Sequence, residues 1–258
     1  MDRIKNASGD PVLASVFSAA DLRLFLPTIY EVTPWRVLGG HYGFSVTWPI
    51  TNFRPESPTA QSSPSGWGMS DLYVSPLTIG WTTGRADFIT GYAFDAPTGR
   101  YEAGAADNFG MGMWSHELQG GTTVYLDSRK IFSVATSAFL EFHSKKKDQD
   151  LRVGPILTLE GGAAYNIEKI GGAFGVGYSL QTKVADDTGS DLPLTALRAL
   201  NLYGRNRVFS IGPDLTTGIF EKGRTMGFVN VRYLWESAAR SSFEGSTWFV
   251  AFNVARLH

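Results

Sequence analysis

The stretch 157–183, LTLEGGAAYNIEKIGGAFGVGYSLQTK, alternates apolar and polar side chains over two consecutive segments. In the first segment, Leu159 and Tyr165 fall on one face, whereas Glu160 and Asn166 fall on the other. Successive side chains of a β-strand point to opposite faces of the sheet, so a period of two predicts strand and not helix. The stretch therefore predicts two antiparallel strands, each with an apolar and a polar face, joined by a tight turn.

The same alternation recurs along most of the chain, for example over 132–142 and 229–236. In the first strand that can be read, Tyr30 and Val32 share the apolar face with several leucines. Glu31 falls on the opposite face and is expected to point inward with the other ionisable groups of the polar face. We therefore predict an all-β chain whose sheet is apolar outside and polar inside.

Strand length separates a membrane-spanning sheet from an ordinary globular one. Strands of globular proteins usually run about 5 to 6 residues, whereas a tilted membrane-spanning strand needs about 9 to 11. The alternation persists over the longer span in about eleven segments between residues 21 and 257. The composition, with 29 glycines and 13% aromatic residues, is also typical of outer-membrane barrels.

The predicted connections alternate between short turns, such as 127–130, and long loops, such as 97–113 and 184–206. Tryptophans such as Trp114 and Trp248 gather near strand ends, where aromatic girdles of membrane barrels lie. These features together predict one closed antiparallel up-and-down transmembrane β-barrel that occupies the whole chain, 1–258.

Strand parity suggests that this barrel has about twelve strands in the full protein, because bacterial barrels have an even number. Residues 1–20 then form an external loop, or the remnant of a truncated N-terminus that has lost its signal peptide and first strand. The alternative is a short extra strand over 11–19, PVLASVFSA. The proline and the small residues there make truncation the preferred interpretation.

Composition excludes several function classes. A formal net charge of −1 and a single short basic run, Lys145 to Lys147, give no support for a nucleic-acid partner. The chain has no cysteine, so it has neither disulfides nor thiolate metal ligands. The scattered histidines have no metal-ligand spacing, and no cofactor is predicted.

Catalytic arrangements are also poorly supported. Glu160 and Glu168 lie roughly 26 Å apart on an extended strand, too far to act on one glycosidic bond. Ser115 and His116 are adjacent, so alternation sends their side chains to opposite faces. We therefore predict that the protein is not an enzyme.

Four blocks resemble one known family: GMSDLYVSPLTIGW (68–81), GYAFDAPTGRYE (91–102), RVFSIGPDL (207–215) and YLWESAARSSFEGSTWFVAF (233–252). In order and spacing they are similar to the outer-membrane transporter-like proteins named for the meta-pathway of phenol degradation. The chain departs from that family at its end, ARLH, where members commonly finish on an aromatic or similar apolar residue.

The resemblance implies a porin-like barrel of about twelve strands in the outer membrane of a Gram-negative cell. It implies passive uptake of small hydrophobic or aromatic compounds linked to phenol degradation. The expected partners are outer-membrane lipid, the small substrate and the barrel assembly machinery. Two alternatives stay open: a soluble β-sandwich that binds carbohydrate or another ligand, and a barrel that serves only envelope structure and does not conduct.

The candidate substrate-contacting residues of the barrel interior are charged side chains on the predicted polar face or beside the family-like blocks. They are Asp71, Glu160, Arg205, Asp214, Arg232 and Glu236. For each of them the alternative is a structural ion pair across the interior, as for Arg232 with Glu236 or another carboxylate.

Overall fold

The computed structural model describes residues 3–12, 19–56, 66–105, 107–192, 202, 204–221 and 224–254. Its regular structure is almost entirely β, with one 3₁₀ turn at Glu168–Ile170. The strands are β1 (Arg3–Lys5), β2 (Ala19–Phe25), β3 (Thr28–Val37), β4 (Gly40–Thr47), β5 (Ile50–Glu56), β6 (Gly68–Met69), β7 (Leu72–Thr82), β8 (Ala86–Ala96), β9 (Ser115–Tyr125), β10 (Phe132–His143), β11 (Ile156–Ile167), β12 (Gly172–Lys183), β13 (Arg207–Glu221), β14 (Arg224–Arg240), β15 (Ser242–Glu244) and β16 (Ser246–Val254). In these ranges no helix is long and apolar enough to cross a membrane.

Eleven strands form one antiparallel sheet in the order β16-β14-β13-β12-β11-β10-β9-β8-β7-β4-β3. Neighbours along the chain are neighbours in the sheet, as an up-and-down connection requires. Two small sheets accompany it, β2-β5-β6 and β1-β15. The large sheet has the predicted number of eleven strands, and among the described residues five further strands lie outside it. Among the described residues no ladder joins the edge strands β3 and β16, so the sheet has two open edges.

The β2-β5 pair is an extension of the β3-β4 hairpin beyond two prolines. Phe25 pairs with Ile50 and Thr28 with Thr47, so the register is the same on both sides of the interruption. Trp48 N donates to the carbonyl oxygen of Pro27 at 3.0 Å and keeps the two halves in line. Proline lacks an N–H to donate to the ladder, which explains why the strands break at Pro27 and Pro49.

The two faces of the sheet have opposite character, and the apolar face is the exposed one. Its side chains include Phe174, Val176, Tyr165, Trp235, Trp248, Val250 and Phe252, each of them exposed. The buried polar or charged residues include Asp71, Ser75, Thr78, Ser115, His143 and Ser210. A β-sandwich would bury the apolar face between two sheets, and a water-soluble protein rarely exposes so much contiguous apolar surface.

The polar face is concave. Tyr30 on β3 and Ser137 on β10 line the same cavity although five strand-to-strand steps separate them in the sheet. Two strands so far apart can share a cavity only if the sheet curls toward its polar side. This curvature brings polar side chains from distant strands together and spreads the apolar side chains apart on the convex side.

The inward orientation predicted for Glu31 is wrong. Tyr30 pairs with Ser45, and Ser45 pairs with Ser75, which places Tyr30 on the polar face. Glu31 pairs with Phe44 and lies on the apolar side. Alternation shows which residues share a face, but the direction of the face depends on the neighbouring strand, and here the apolar set points inward.

The connections alternate in length as predicted. Tight turns follow β3, β7, β9 and β11, and the longest connections follow β8, β10 and β12. In the turn between β3 and β4, Leu38 and Gly39 both have positive φ, 50° and 78°. Positive φ at both central residues matches the twist of the flanking strands in a two-residue hairpin turn.

Aromatic pairs lie at both ends of the sheet. Near the long loops, the ring of Trp114 lies 5.8 Å from that of Phe94, and Trp248 lies 4.6 Å from Tyr233. Near the short turns, Phe132 packs edge-on against Tyr165 at 5.3 Å. Their position at the strand ends agrees with the sequence-based expectation of two aromatic bands.

Two aspartates organise the long loops. Asp71 accepts hydrogen bonds from the backbone N–H groups of Gly99 and Met111, at 3.0 and 2.7 Å, and so holds the loop that follows β8. Asp150, in the loop after β10, pairs with Lys145 at 2.5 Å and accepts bonds from the N–H and the hydroxyl of Ser190 in the loop after β12. The hydrogen bond from Lys145, followed by those from Ser190, holds the pKa of Asp150 well below its usual range.

The exposure of the apolar face predicts how the protein tolerates charge. Ala163 is exposed on the apolar face in the middle of β11, and its neighbour Ala164 points to the polar face. We expect Ala163→Arg to destabilise the protein folded in phospholipid vesicles by about 2–4 kcal/mol, because the arginine would enter the hydrocarbon region. Urea titration of the vesicle-inserted protein measures this difference. Ala164→Arg is the matched control, and an equal loss for both variants would contradict the assignment of the faces.

The tie between the loops predicts a pH response. Because the folded-state pKa of Asp150 is lowered, its stabilising effect is complete above the ordinary aspartate pKa of about 3.9 and is lost as pH falls toward the lowered value. Asp150→Asn should therefore speed amide hydrogen exchange at Ser190 several-fold at neutral pH, while the native tie should persist at pH values just above that ordinary pKa. Asp148→Asn is the control in the same loop, and unchanged exchange in Asp150→Asn would refute the tie.

Candidate functional site

The candidate site is the concave polar face, whose side chains are ordered by strand pairing. One row crosses five strands: Ser137 pairs with Glu160, Glu160 with Ser179, Ser179 with Ser210, and Ser210 with Glu236. Directly paired residues point to the same face, so the row forms a hydroxyl-lined band with a carboxylate at Glu160 and another at Glu236. This band lies midway along the strands.

Glu236 is held at one end of this row. The hydroxyl of Thr247 on β16 donates to Oε1 of Glu236 at 3.2 Å. Its carboxylate therefore already has a neutral donor from the edge strand, and in the described part of the chain it does not pair with Arg232.

Arg232 forms its ion pair with a different carboxylate. Its Nε lies 2.6 Å from Oδ2 of Asp214, the residue directly opposite on β13. The amide of Asn230 donates to the other oxygen, Oδ1, also at 2.6 Å. Both charged side chains are largely buried, at 27% and 19% exposure, so the pair is a fixed polar element of the face.

A cavity of about 300 Å³ opens beside this pair. Glu160, Asp214 and Arg232 line it together with small residues of β10, β11 and β12. These three predicted residues are therefore brought together, although they come from strands β11, β13 and β14. Gly162, Ala164 and Gly175 are among these small residues, and none of them has a side chain long enough to fill the cavity.

A second charged group, here called the acidic band, consists of Asp95, Glu117 and Glu141. Glu117 and Glu141 are direct cross-strand partners, and Asp95 lies opposite Tyr73. The hydroxyl of Tyr73 donates to Oε1 of Glu117 at 2.9 Å. In the described part of the chain, none of the three carboxylates forms an ion pair with lysine or arginine. The band lies close to the long loops and leaves that end of the polar face electronegative.

Two predicted candidates lie outside the open part of the face. Asp71 is 3% exposed, and both of its oxygens accept backbone N–H groups of the loop after β8. Arg205 lies in the connection between β12 and β13, where its exposed side chain is 3.5 Å from Asp186. The structure thus gives Asp71 a loop-holding role and places Arg205 at the protein surface.

The arrangement around Ser115 does not form a nucleophilic site. As predicted, Ser115 and His116 point to opposite faces: Ser115 Oγ lies 3.0 Å from Nδ1 of His143, and His116 Nδ1 lies 2.7 Å from the hydroxyl of Tyr92. Ser115 is 1% exposed, and Nε2 of His143 is buried without a hydrogen-bond partner among the described residues. A base in a catalytic triad needs an orienting acid on its second nitrogen, which is not found here.

Metal ligands are not assembled in the described ranges either, since no group of three or more histidine, aspartate or glutamate side chains there could hold an ion. The chemistry available on the polar face is therefore hydrogen bonding and charge. Such groups can orient or repel a solute.

Two parts of the site were missed by sequence reasoning. The acidic band combines three carboxylates that alternation placed on the polar face but did not bring together, because their contact depends on the register between β8, β9 and β10. The inward position of Tyr30 and Val32 was missed because their strand was assigned the opposite face. The pairing of Ser45 with Ser75, two polar residues, is the signal that would have revealed it.

The fold matches that of a solved membrane protein. The crystal structure of an outer membrane channel from Pseudomonas putida F1 superposes with a TM-score of 0.70 over 98% of this chain and 88% of that one. The two sequences are 13% identical, so the likeness concerns the fold. No curated protein matches the sequence significantly.

The sequence itself matches a family model over nearly its whole length, residues 2–252. This agrees with the resemblance carried by the four sequence blocks. The chain therefore belongs to the family described as "Putative MetA-pathway of phenol degradation".

Proposed function

We propose that the sheet closes into a barrel in the outer membrane and that the protein is a passive channel for small hydrophobic or aromatic compounds. The observation that carries the proposal is the inverted distribution of side chains. Apolar residues such as Phe174 and Val176 are exposed on the convex face, whereas Asp71, Ser115 and Ser210 are buried. Lipid is the solvent that favours this arrangement, and only a sheet without open edges satisfies its backbone there.

A path along the concave face supports transport. The cavity beside Glu160 and a second cavity beside Tyr30 are both lined by Ala135 and Ser137, so the two adjoin along β10. Together they form one recess across neighbouring strands, in the half of the concave face nearer the short turns. In a closed barrel this face would be the lumen, and a solute would move along it down its own gradient.

The family description and the solved channel make the assignment more specific. The family name associates the chain with phenol degradation, and the Pseudomonas putida protein is described as an outer membrane channel. Aromatic compounds that feed such a pathway must first cross the outer membrane. An uptake role agrees with these two descriptions.

The acidic band supports selection by charge. Asp95, Glu117 and Glu141 lie without a cationic partner near the long loops, through which a solute would enter. Carboxylates at a narrow entrance raise the energy of anions and lower that of cations. We infer that neutral compounds and cations pass this end more readily than aromatic acids do.

Uptake is tested with purified protein in liposomes. The protein should speed the entry of a small aromatic probe compared with empty vesicles, and the rate should rise linearly with protein content. Wild-type protein added in heat-denatured form is the control for protein that is present but unfolded. Equal entry rates with and without folded protein would refute the channel and favour a purely structural barrel.

Charge selection is tested in planar bilayers under an asymmetric KCl gradient. The wild-type reversal potential should indicate preference for potassium over chloride, and the double variant Glu117→Gln with Glu141→Gln should shift it toward zero. Glu31→Gln is the matched control, because Glu31 lies on the apolar side beside Phe44. An unchanged potential in the double variant would contradict the role of the acidic band, and the lack of any conductance would contradict the channel.

A further inference from the structure

A cavity of about 580 Å³ lies on the concave face toward the short turns. Its wall comes from β3, β4, β7, β8, β9 and β10, and its lining includes Tyr30, Val32, Asp87, Ile89, Gly121 and Ser137. Its volume falls within the range of small-molecule binding sites, about 300–1,000 Å³. The cavity is therefore large enough to hold a single aromatic ring.

The cavity differs from the rest of the polar face because part of its wall is apolar. Tyr30, Val32 and Ile89 point inward and are exposed, at 53%, 52% and 42%. They come from two strands that are not adjacent, β3 and β8, and they line one cavity only because the sheet curls. A patch of exposed apolar surface inside a polar wall is a place where a hydrophobic solute would be held.

Glycines keep this space open. A Cβ atom added at Gly121 would lie 2.5 Å from Oγ of Ser137 and 3.1 Å from Cγ2 of Ile89. A Cβ at Gly43 would lie 3.0 Å from the hydroxyl of Tyr30, so the tyrosine ring lies along the face above that glycine. The ring of Tyr30 and the side chain of Ile89 thus both line the cavity and remain exposed.

The carboxylate of Asp87, which lines the cavity, has one oxygen that accepts no hydrogen bond from the described residues. Asp87 accepts the hydroxyl hydrogen of Tyr125 on Oδ2 at 2.7 Å, while its Oδ1 is buried and has no hydrogen-bond partner among the described residues. A buried acceptor without a donor costs free energy, which a ligand hydroxyl would recover after a small rotation of the carboxylate. Among the described residues no lysine or arginine lines the cavity, so an anionic ligand would find no counter-charge from them.

We propose that this cavity is a binding subsite for an uncharged aromatic compound with a single ring and a hydroxyl group. The ring packs against Tyr30, Val32 and Ile89, and the hydroxyl donates to Asp87. The inference rests on the proposed function and deepens it, because it makes passage a saturable step at a defined place. Phenol meets these requirements: it is uncharged and has one aromatic ring and one hydroxyl donor.

Equilibrium binding of phenol to the purified protein in detergent micelles tests the subsite without requiring transport. Isothermal titration should show saturable binding to the wild type and about tenfold weaker binding to Tyr30→Ala or Ile89→Ala, the loss expected for one aromatic or aliphatic contact. Tyr30→Phe, which keeps the ring, should retain binding. Phe174→Ala is the matched control, because Phe174 is exposed on the convex apolar face and does not line the cavity.

The polar contact is tested with a second set of probes. Toluene lacks the donor and benzoate carries a negative charge, so both should bind several-fold more weakly than phenol. Asp87→Asn should weaken phenol and leave toluene unchanged. Equal affinity for the three compounds, or equal effects of Tyr30→Ala and Phe174→Ala, would overturn the subsite.

The outcomes separate this subsite from the channel itself. If the wild type speeds probe entry into liposomes but binds phenol without saturation, the subsite is wrong and the channel stands. If phenol binds saturably and the Tyr30→Ala variant loses it while no vesicle flux is seen, the subsite stands and the uptake function fails. Heat-dependent mobility on gels should show that every variant is folded before either result is read.

Discussion

The structure depends on one continuous antiparallel hydrogen-bond ladder that joins eleven strands. Side chains alternate along each strand, and directly paired residues share a face. The register of the ladder therefore fixes which side chains of each strand lie on the apolar face and which lie on the polar face. A slip of one residue would exchange the two faces of a strand. The ladder therefore determines which side chains are exposed on the convex side and which charged side chains lie close together on the concave side.

The concave face is graded along the strands. The acidic band lies near the long loops, the Asp214–Arg232 pair lies midway, and the cavity beside Tyr30 and Ile89 lies toward the short turns. A solute that followed this face would meet charge first, a neutralised polar wall next and an apolar patch last. Such an order favours solutes that are uncharged and partly hydrophobic, which agrees with the proposed uptake of phenol-like compounds.

Burial gives the charged residues different roles. Asp71 does not offer its carboxylate to a solute in the interior, because each of its two oxygens already accepts a backbone N–H of the loop after β8. Arg205 does not face the interior, because it lies in an exposed connection and not on a strand. Glu160, Asp214 and Arg232 do line a cavity on the concave face, because they lie on regular strands where alternation decides the side-chain direction. Sequence reasoning therefore placed side chains correctly on these strands but not on β3, and it failed in loops, where no period applies.

The sequence by itself determined the strands, their number, the alternating loop lengths and the apolar face of most strands, since each follows from local period and turn chemistry. The tertiary structure alone decided that Tyr30 points inward, that Glu117 faces Glu141, and that Ile89 shares a cavity with Ser137. The physical reason is that these contacts depend on the register between strands and on the curvature of the sheet. Both properties arise from the packing of many strands together, and no single strand encodes them.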